Sequence, residues 1–143
     1  MATSARRRQD LLVDTSVAVA LTVADHEHHE AAFERLSGKR LGLAGHAAFE
    51  TFSVLTRLPA PARRTPATVA RLLGESFPHT RFLSAEASRE LFEKLDAIGV
   101  AGGSVYDALV GAAAAEHGVT LVTRDRRALE TYRALEVEVE LLT

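Results

Sequence analysis

Short apolar runs alternate with longer segments of helical period along this chain, the pattern of an α/β fold built on a mainly parallel sheet. The first strand is the run LLVD, which ends on Asp14. Helices are expected at Ser16–Ala24 and at about His29–Leu36, followed by a weak second strand at Arg40–Ala44. His46–Leu58 is expected to be helical, because Phe49, Phe52 and Leu55 are spaced to form one apolar face. The stretch PAPARRTP must end that helix, since proline has no amide hydrogen to donate. Pro66 then suits the first turn of a helix over Pro66–Gly74. A third strand is expected at Thr80–Leu83 and a helix at Ala85–Ile98, on which Leu91, Leu95 and Ile98 align. Gly99, Gly102 and Gly103 end it in a flexible loop. A small-residue helix over Ser104–His117, a strand over Val119–Thr123, a short helix over Arg126–Leu135 and a last strand over Val137–Leu142 complete the reading.

The chain has 143 residues, no internal repeat and no long linker, which implies one domain over residues 1–143. At 47% hydrophobic and 25% charged it has the balance of an ordinary globular protein. It contains no cysteine, which removes disulfide frameworks and thiolate zinc sites and fits a cytoplasmic home. No apolar run approaches the roughly 18 residues of a membrane span. The start, MATSARRRQD, is basic but leads only into LLV, too short for a signal peptide, so residues 1–9 are expected to form a flexible arm. A formal net charge of −2 excludes a globally basic nucleic-acid binder. Lys39 and Lys94 are the only lysines; the other basic residues are arginines, which suit bidentate phosphate contacts but which codon bias also explains.

The candidate chemistry is acidic. Asp14 closes the first strand and Asp125 follows the run LVT of the fourth, so both are expected at the carboxyl ends of strands, where open α/β sheets hold their ligands. Asp107 opens the helix that leads into that fourth strand, and Glu50 sits in AAFETFSVLTR beside the apolar face. Each has an ordinary alternative. Asp14 and Asp125 are good helix caps, and Ser104-x-x-Asp107 has the form of a capping box. Gly111, one turn beyond Asp107, costs about 1 kcal/mol relative to alanine inside a helix. It implies close approach of another backbone or a ligand. Two unit charges about 4 Å apart repel by roughly 4 kcal/mol at an effective dielectric of about 20. Four converging carboxylates therefore need protons or a cation. A hard divalent ion, Mg²⁺ or Mn²⁺, matches oxygen ligands and can activate water against a phosphodiester.

The segments LLVDTS, ETFSVLTR, VYDALVGAAA and LVTRDRRAL, in this order, resemble the PIN-domain ribonucleases, and among them the VapC toxins of bacterial toxin–antitoxin pairs. The resemblance runs from about Leu11 to Leu142. It implies a three-layer α/β/α sandwich in which Asp14, Glu50, Asp107 and Asp125 hold Mg²⁺ or Mn²⁺ and activate water for RNA cleavage. Ser16 and Thr123 match small hydroxyl positions that support the acids in such proteins. It further implies a homodimer, a tRNA or rRNA substrate, and a cognate VapB-type antitoxin whose C-terminal segment blocks the acid site. Two features depart from the family pattern: the arm before LLVDTS is long, and Glu136 stands where a glycine is expected.

Other signals carry less. DHEHHE, from Asp25 to Glu30, fails the H-E-x-x-H spacing of zinc proteases and reads as a solvated helix start. Arg124, Arg126 and Arg127 flank Asp125 and either grip RNA phosphates or are solvated surface charges. An aspartate-based phosphotransfer protein with Asp14 as nucleophile lacks its partners. Neither lysine ends a late strand, and the position two beyond Asp14 is Ser16 instead of a second aspartate. A non-catalytic RNA- or protein-binding module with an acidic cleft remains open on sequence grounds.

Overall fold

The computed structural model describes residues 9–143, so the arm expected over 1–9 lies, apart from Gln9, outside the described residues. Among these residues four strands, β1 (Asp10–Val13), β2 (Arg40–Leu43), β3 (Thr120–Thr123) and β4 (Val139–Leu141), form one sheet in the order β2-β1-β3-β4. All the pairings are parallel, with Val13 opposite both Leu43 and Val122. Among the described residues, seven helices cover the sheet: α1 (Thr15–Thr22), α2 (His29–Leu36), α3 (His46–Thr56), α4 (Pro66–Ser76), α5 (Ala85–Lys94), α6 (Ser104–His117) and α7 (Leu129–Ala134). A 3₁₀ turn at Arg126–Ala128 precedes α7.

Alternation along the strands builds the three layers. Successive strand residues face opposite sides. Leu11 and Val13 therefore join one apolar cluster with Val17, Leu36, Leu55, Val69 and Leu73 of α1 to α4. Leu12 joins the other with Leu91, Ala108, Val110 and Tyr132 of α5 to α7. A sheet buried on both faces reads as continuous apolar runs, which is why LLV and TLV appear so in the sequence.

The α/β/α fold is as expected, with three local corrections. The segment Thr80–Leu83 is not a strand; only Arg81 bridges to Ala44. The Thr80 hydroxyl takes the amide of Leu43 at 3.0 Å, a donor a regular ladder would give to backbone. Arg81 N still donates to Leu43 O at 3.1 Å and Gly45 N to Arg81 O at 2.7 Å, so the segment runs beside β2 without extending the sheet. Gly42 permits this approach, since a Cβ there would lie 2.1 Å from His79 O. Second, Phe49 is 65% exposed; the buried line of α3 is Ala47, Thr51 and Leu55. Third, α5 stops at Lys94, although Leu95 and Ile98 still pack on the cluster around Leu91. Among the described residues, no helix is long and apolar enough to cross a membrane.

Candidate active site

Because β1 and β3 are neighbours in parallel register, their carboxyl ends bring Asp14 and the Thr123–Asp125 segment together. Asp14 is 4% exposed and has four donors. Oδ1 accepts from the Ser16 hydroxyl at 2.5 Å and from Val17 N at 3.3 Å, the second being the N-cap bond of α1. Oδ2 accepts from the Thr123 hydroxyl and from the Tyr132 hydroxyl, the latter at 3.0 Å. The two small hydroxyls also tie the loops: Arg124 N donates to Ser16 Oγ at 2.9 Å, and Asp125 N to Thr123 Oγ1 at 3.0 Å. Burial raises the pKa of Asp14, while hydrogen bonds from Ser16, Thr123, Tyr132 and Val17 act in the opposite direction.

Asp107 projects from the first turn of α6. The expected capping box does not form: Gly103 is the N-cap, no side chain caps the helix, and Ser104 already lies within it. Burial, and then the charges of Asp125, Glu50 and Asp14 in that order, push the Asp107 carboxyl up to about 6, and Arg127 pulls it down. Asp125 caps the 3₁₀ turn, accepting from Arg127 N at 2.9 Å. Capping and membership of an acid cluster are thus compatible for both Asp14 and Asp125. Glu50 enters from α3, in a shallow groove lined by His46, Phe49, Ser53, Val54 and Arg57.

The flanking arginines differ from one another. Arg126 and Arg127 are exposed, and Arg124 is partly buried. Arg127 Nε lies 3.7 Å from Asp125 Oδ1 with its side chain 96% exposed, an ion pair of little energetic value.

Sequence reasoning missed Tyr132. It is 1% exposed and lies across the chain from Asp14, yet it supplies one of the four donors. The signal was available, because a tyrosine at a core position of α7 needs a partner for its hydroxyl. Gly111 explains the space it uses. A Cβ there would sit 3.0 Å from Tyr132 Cδ1 and 3.1 Å from Leu135 Cδ1, so the close approach expected at Gly111 comes from side chains, not from backbone or ligand.

The donor set is all hard oxygen, which suits Mg²⁺ or Mn²⁺ and not softer ions. Among the described residues, no three histidine, aspartate or glutamate side chains stand close enough to hold an ion directly as placed. The acids nevertheless share one electrostatic space, since three of them act on Asp107. Mg²⁺ commonly keeps several waters and takes only one or two carboxylates, so the chemistry of these oxygen donors fits it.

The family model described as PIN domain matches residues 11–134. The chain is 46% identical over 129 residues to Ribonuclease VapC27 of Mycobacterium tuberculosis, covering 90% of this chain and 94% of that protein. It is 48% identical over 132 residues to Ribonuclease VapC40 of the same organism, covering 91% and 97%. Its fold is similar to that in the crystal structure of VapBC2 from Rickettsia felis bound to a DNA fragment from their promoter, with a TM-score of 0.67 at 14% identity, covering 94% of this chain and 100% of that one.

Proposed function

The chain belongs to the PIN-domain family and, within it, to the VapC ribonucleases, and from that premise we propose that it is a metal-dependent endoribonuclease toxin using Asp14, Glu50, Asp107 and Asp125. The observation that supports the site is that Asp107, pushed up to about 6 first by burial, is pushed further by the charges of Asp125, Glu50 and Asp14. In this reading four acids from separate elements share one field, with Arg127 as a marginal offset, an arrangement that costs stability unless a cation is its working partner.

When bound, Mg²⁺ or Mn²⁺ supplies charge neutralisation and a more acidic water. The protein's own residues do the rest. Ser16, Thr123, Tyr132 and Val17 fix the plane of the Asp14 carboxylate. Asp107, pushed up to about 6 by burial and the neighbouring acids, still loses its proton at neutral pH and is then open to the ion. Exposed Arg126 and Arg127 stand beside Asp125 where a phosphate backbone can be met. Products are expected to carry a 5′-phosphate and a 3′-hydroxyl, because this chemistry does not use the 2′-hydroxyl. Burial of Asp14 under four donors works against the phosphotransfer reading, in which it would be a free nucleophile.

The substrate class we assign is tRNA or rRNA, which places the work in the cytoplasm. The assigned partner is a VapB-type antitoxin, on the strength of the VapC relatives. A homodimer belongs to the same reading. Phe49, Phe82 and Tyr106 are each more than half exposed; His46 joins Phe49 to Tyr106 and Phe49 meets Phe82, giving one aromatic surface that a second copy can cover.

The test is to incubate purified protein, freed of any antitoxin, with total cellular RNA in Mg²⁺, in Mn²⁺ and in excess chelator, alongside Asp14→Asn and Asp107→Asn. Metal-dependent cutting at discrete sites, lost in both variants, is the expected result. Folded wild type that cuts no RNA with metal supplied would favour the binding module instead.

A further inference from the structure

We infer that Tyr132 is a positioning residue for the cation site: with Thr123 it clamps Oδ2 of Asp14 and so holds that carboxylate in one orientation. This rests on the reading of Asp14 as a metal ligand.

A carboxylate has about four lone-pair sites, and each oxygen of Asp14 accepts two hydrogen bonds, of unequal quality. Oδ2 accepts from two hydroxyls, and both donors are deeply buried: Thr123 is 0% exposed and Tyr132 is 1% exposed. Oδ1 accepts one strong bond, from the partly exposed Ser16, and one long one of 3.3 Å from Val17 N. Oδ1 is therefore the more loosely held of the two oxygens. Neither Oδ2 donor is easily given up. Displacing Tyr132 from Asp14 would strand a phenolic O–H in the apolar cluster of Leu12, Ala108 and Leu121.

The ring is seated for this role from the opposite layer. Gly111 follows Asp107 by one helical turn on the same face of α6. The absence of a side chain there admits the Tyr132 ring, whose Cδ1 is 3.0 Å from where a Cβ would be. One glycine thus links the helix that carries Asp107 to the tyrosine that orients Asp14. A tyrosine serving only the core would need no particular acceptor. This one reaches the most buried of the candidate ligands, 118 residues away in sequence.

The test measures Mn²⁺ affinity by the electron paramagnetic resonance signal of free Mn²⁺, and melting temperature in chelator, for wild type, Tyr132→Phe, Gly111→Ala and the double variant. Tyr132→Phe keeps the ring and removes only the hydroxyl. We expect it to weaken Mn²⁺ binding about tenfold, the scale typical of groups that orient metal ligands. Gly111→Ala is expected to weaken binding severalfold when Tyr132 is present and to add little in the Tyr132→Phe background, because its effect passes through that hydroxyl. Folded Tyr132→Phe with wild-type Mn²⁺ affinity overturns the inference and leaves the cation reading standing. Wild type that binds Mn²⁺ no better than Asp14→Asn overturns both. Should Tyr132→Phe fail to fold, unchanged affinity in Gly111→Ala is the overturning result.

Discussion

Asp107→Asn should make the metal-free protein more stable while abolishing its activity. The carboxyl of Asp107 is shifted from 3.8 to about 6 by burial and by three neighbouring acids. A shift of about two units corresponds to about 3 kcal/mol at roughly 1.4 kcal/mol per unit. Asp107 is only partly buried, so solvent screening reduces the net figure to about 1 kcal/mol. Asparagine also surrenders an acid in the first turn of α6, worth about 0.3 kcal/mol, leaving a gain of about 0.7 kcal/mol and about 2 °C in melting temperature. The sign with pH follows from linkage. The folded-state pKa is raised, so the contribution of Asp107 to stability is present below 3.8 and is lost as pH rises through about 6. The advantage of asparagine should therefore be full at about pH 7.5 and largely gone at about pH 4. Differential scanning fluorimetry in chelator at both pH values measures this, and excess Mg²⁺ should stabilise wild type but not the variant. A variant that melts below wild type at about pH 7.5 would show that Asp107 is not in a repulsive cluster, and the argument for the cation site would fail with it.

Three further outcomes follow from the same geometry. RNA cleavage should fall as pH drops through about 6, and raising Mg²⁺ should move that acid limb to lower pH, because ion and proton compete for Asp107; a limb unmoved by Mg²⁺ in pH–rate profiles would contradict this. Thr123→Val should lose both the donor to Asp14 and the acceptor of Asp125 N, destabilising the fold by about 1–3 kcal/mol in urea titration and reducing cleavage at least tenfold. Glu136→Gly should stabilise by up to about 1 kcal/mol, since Glu136 has φ 59° at an exposed site just past α7, and thermal melting with unchanged activity is the check.

The Glu136 case shows what the family pattern can reveal. That pattern expects a glycine there, the residue suited to a sharp turn between α7 and β4. The turn is present, with Glu136 held in the left-handed region and its amide bonded to Arg133 O at 3.0 Å. The strand ends that carry Asp14 and Asp125 were legible for a similar reason: apolar runs buried on both faces mark parallel strands, and their carboxyl ends are where a sheet of this class opens. Thr80–Leu83 misled because its composition suits a strand, while the Thr80 hydroxyl replaces a ladder acceptor, a competition no pattern of apolar residues records. Phe49 misled because helical spacing aligns it with Phe52 and Leu55, which do meet the core, without saying how far along the helix the buried contact extends.

Tyr132 marks the limit of that kind of reading. Gly111 announced that something approaches α6 closely, and a tyrosine in the core of α7 announced a hydroxyl in need of an acceptor. Each was half of one contact, separated by the β3 strand and the 3₁₀ turn. Its acceptor, Asp14, lay at the other end of the chain. Local period can place a residue in the core, but it cannot choose among the acids which one that residue orients. The choice is made by the order β1-β3-β4, which sets α7 and its tyrosine beneath the end of β1. For this site, then, the ligands could be read from strand ends, whereas the groups that aim them could be assigned only once the sheet order was known.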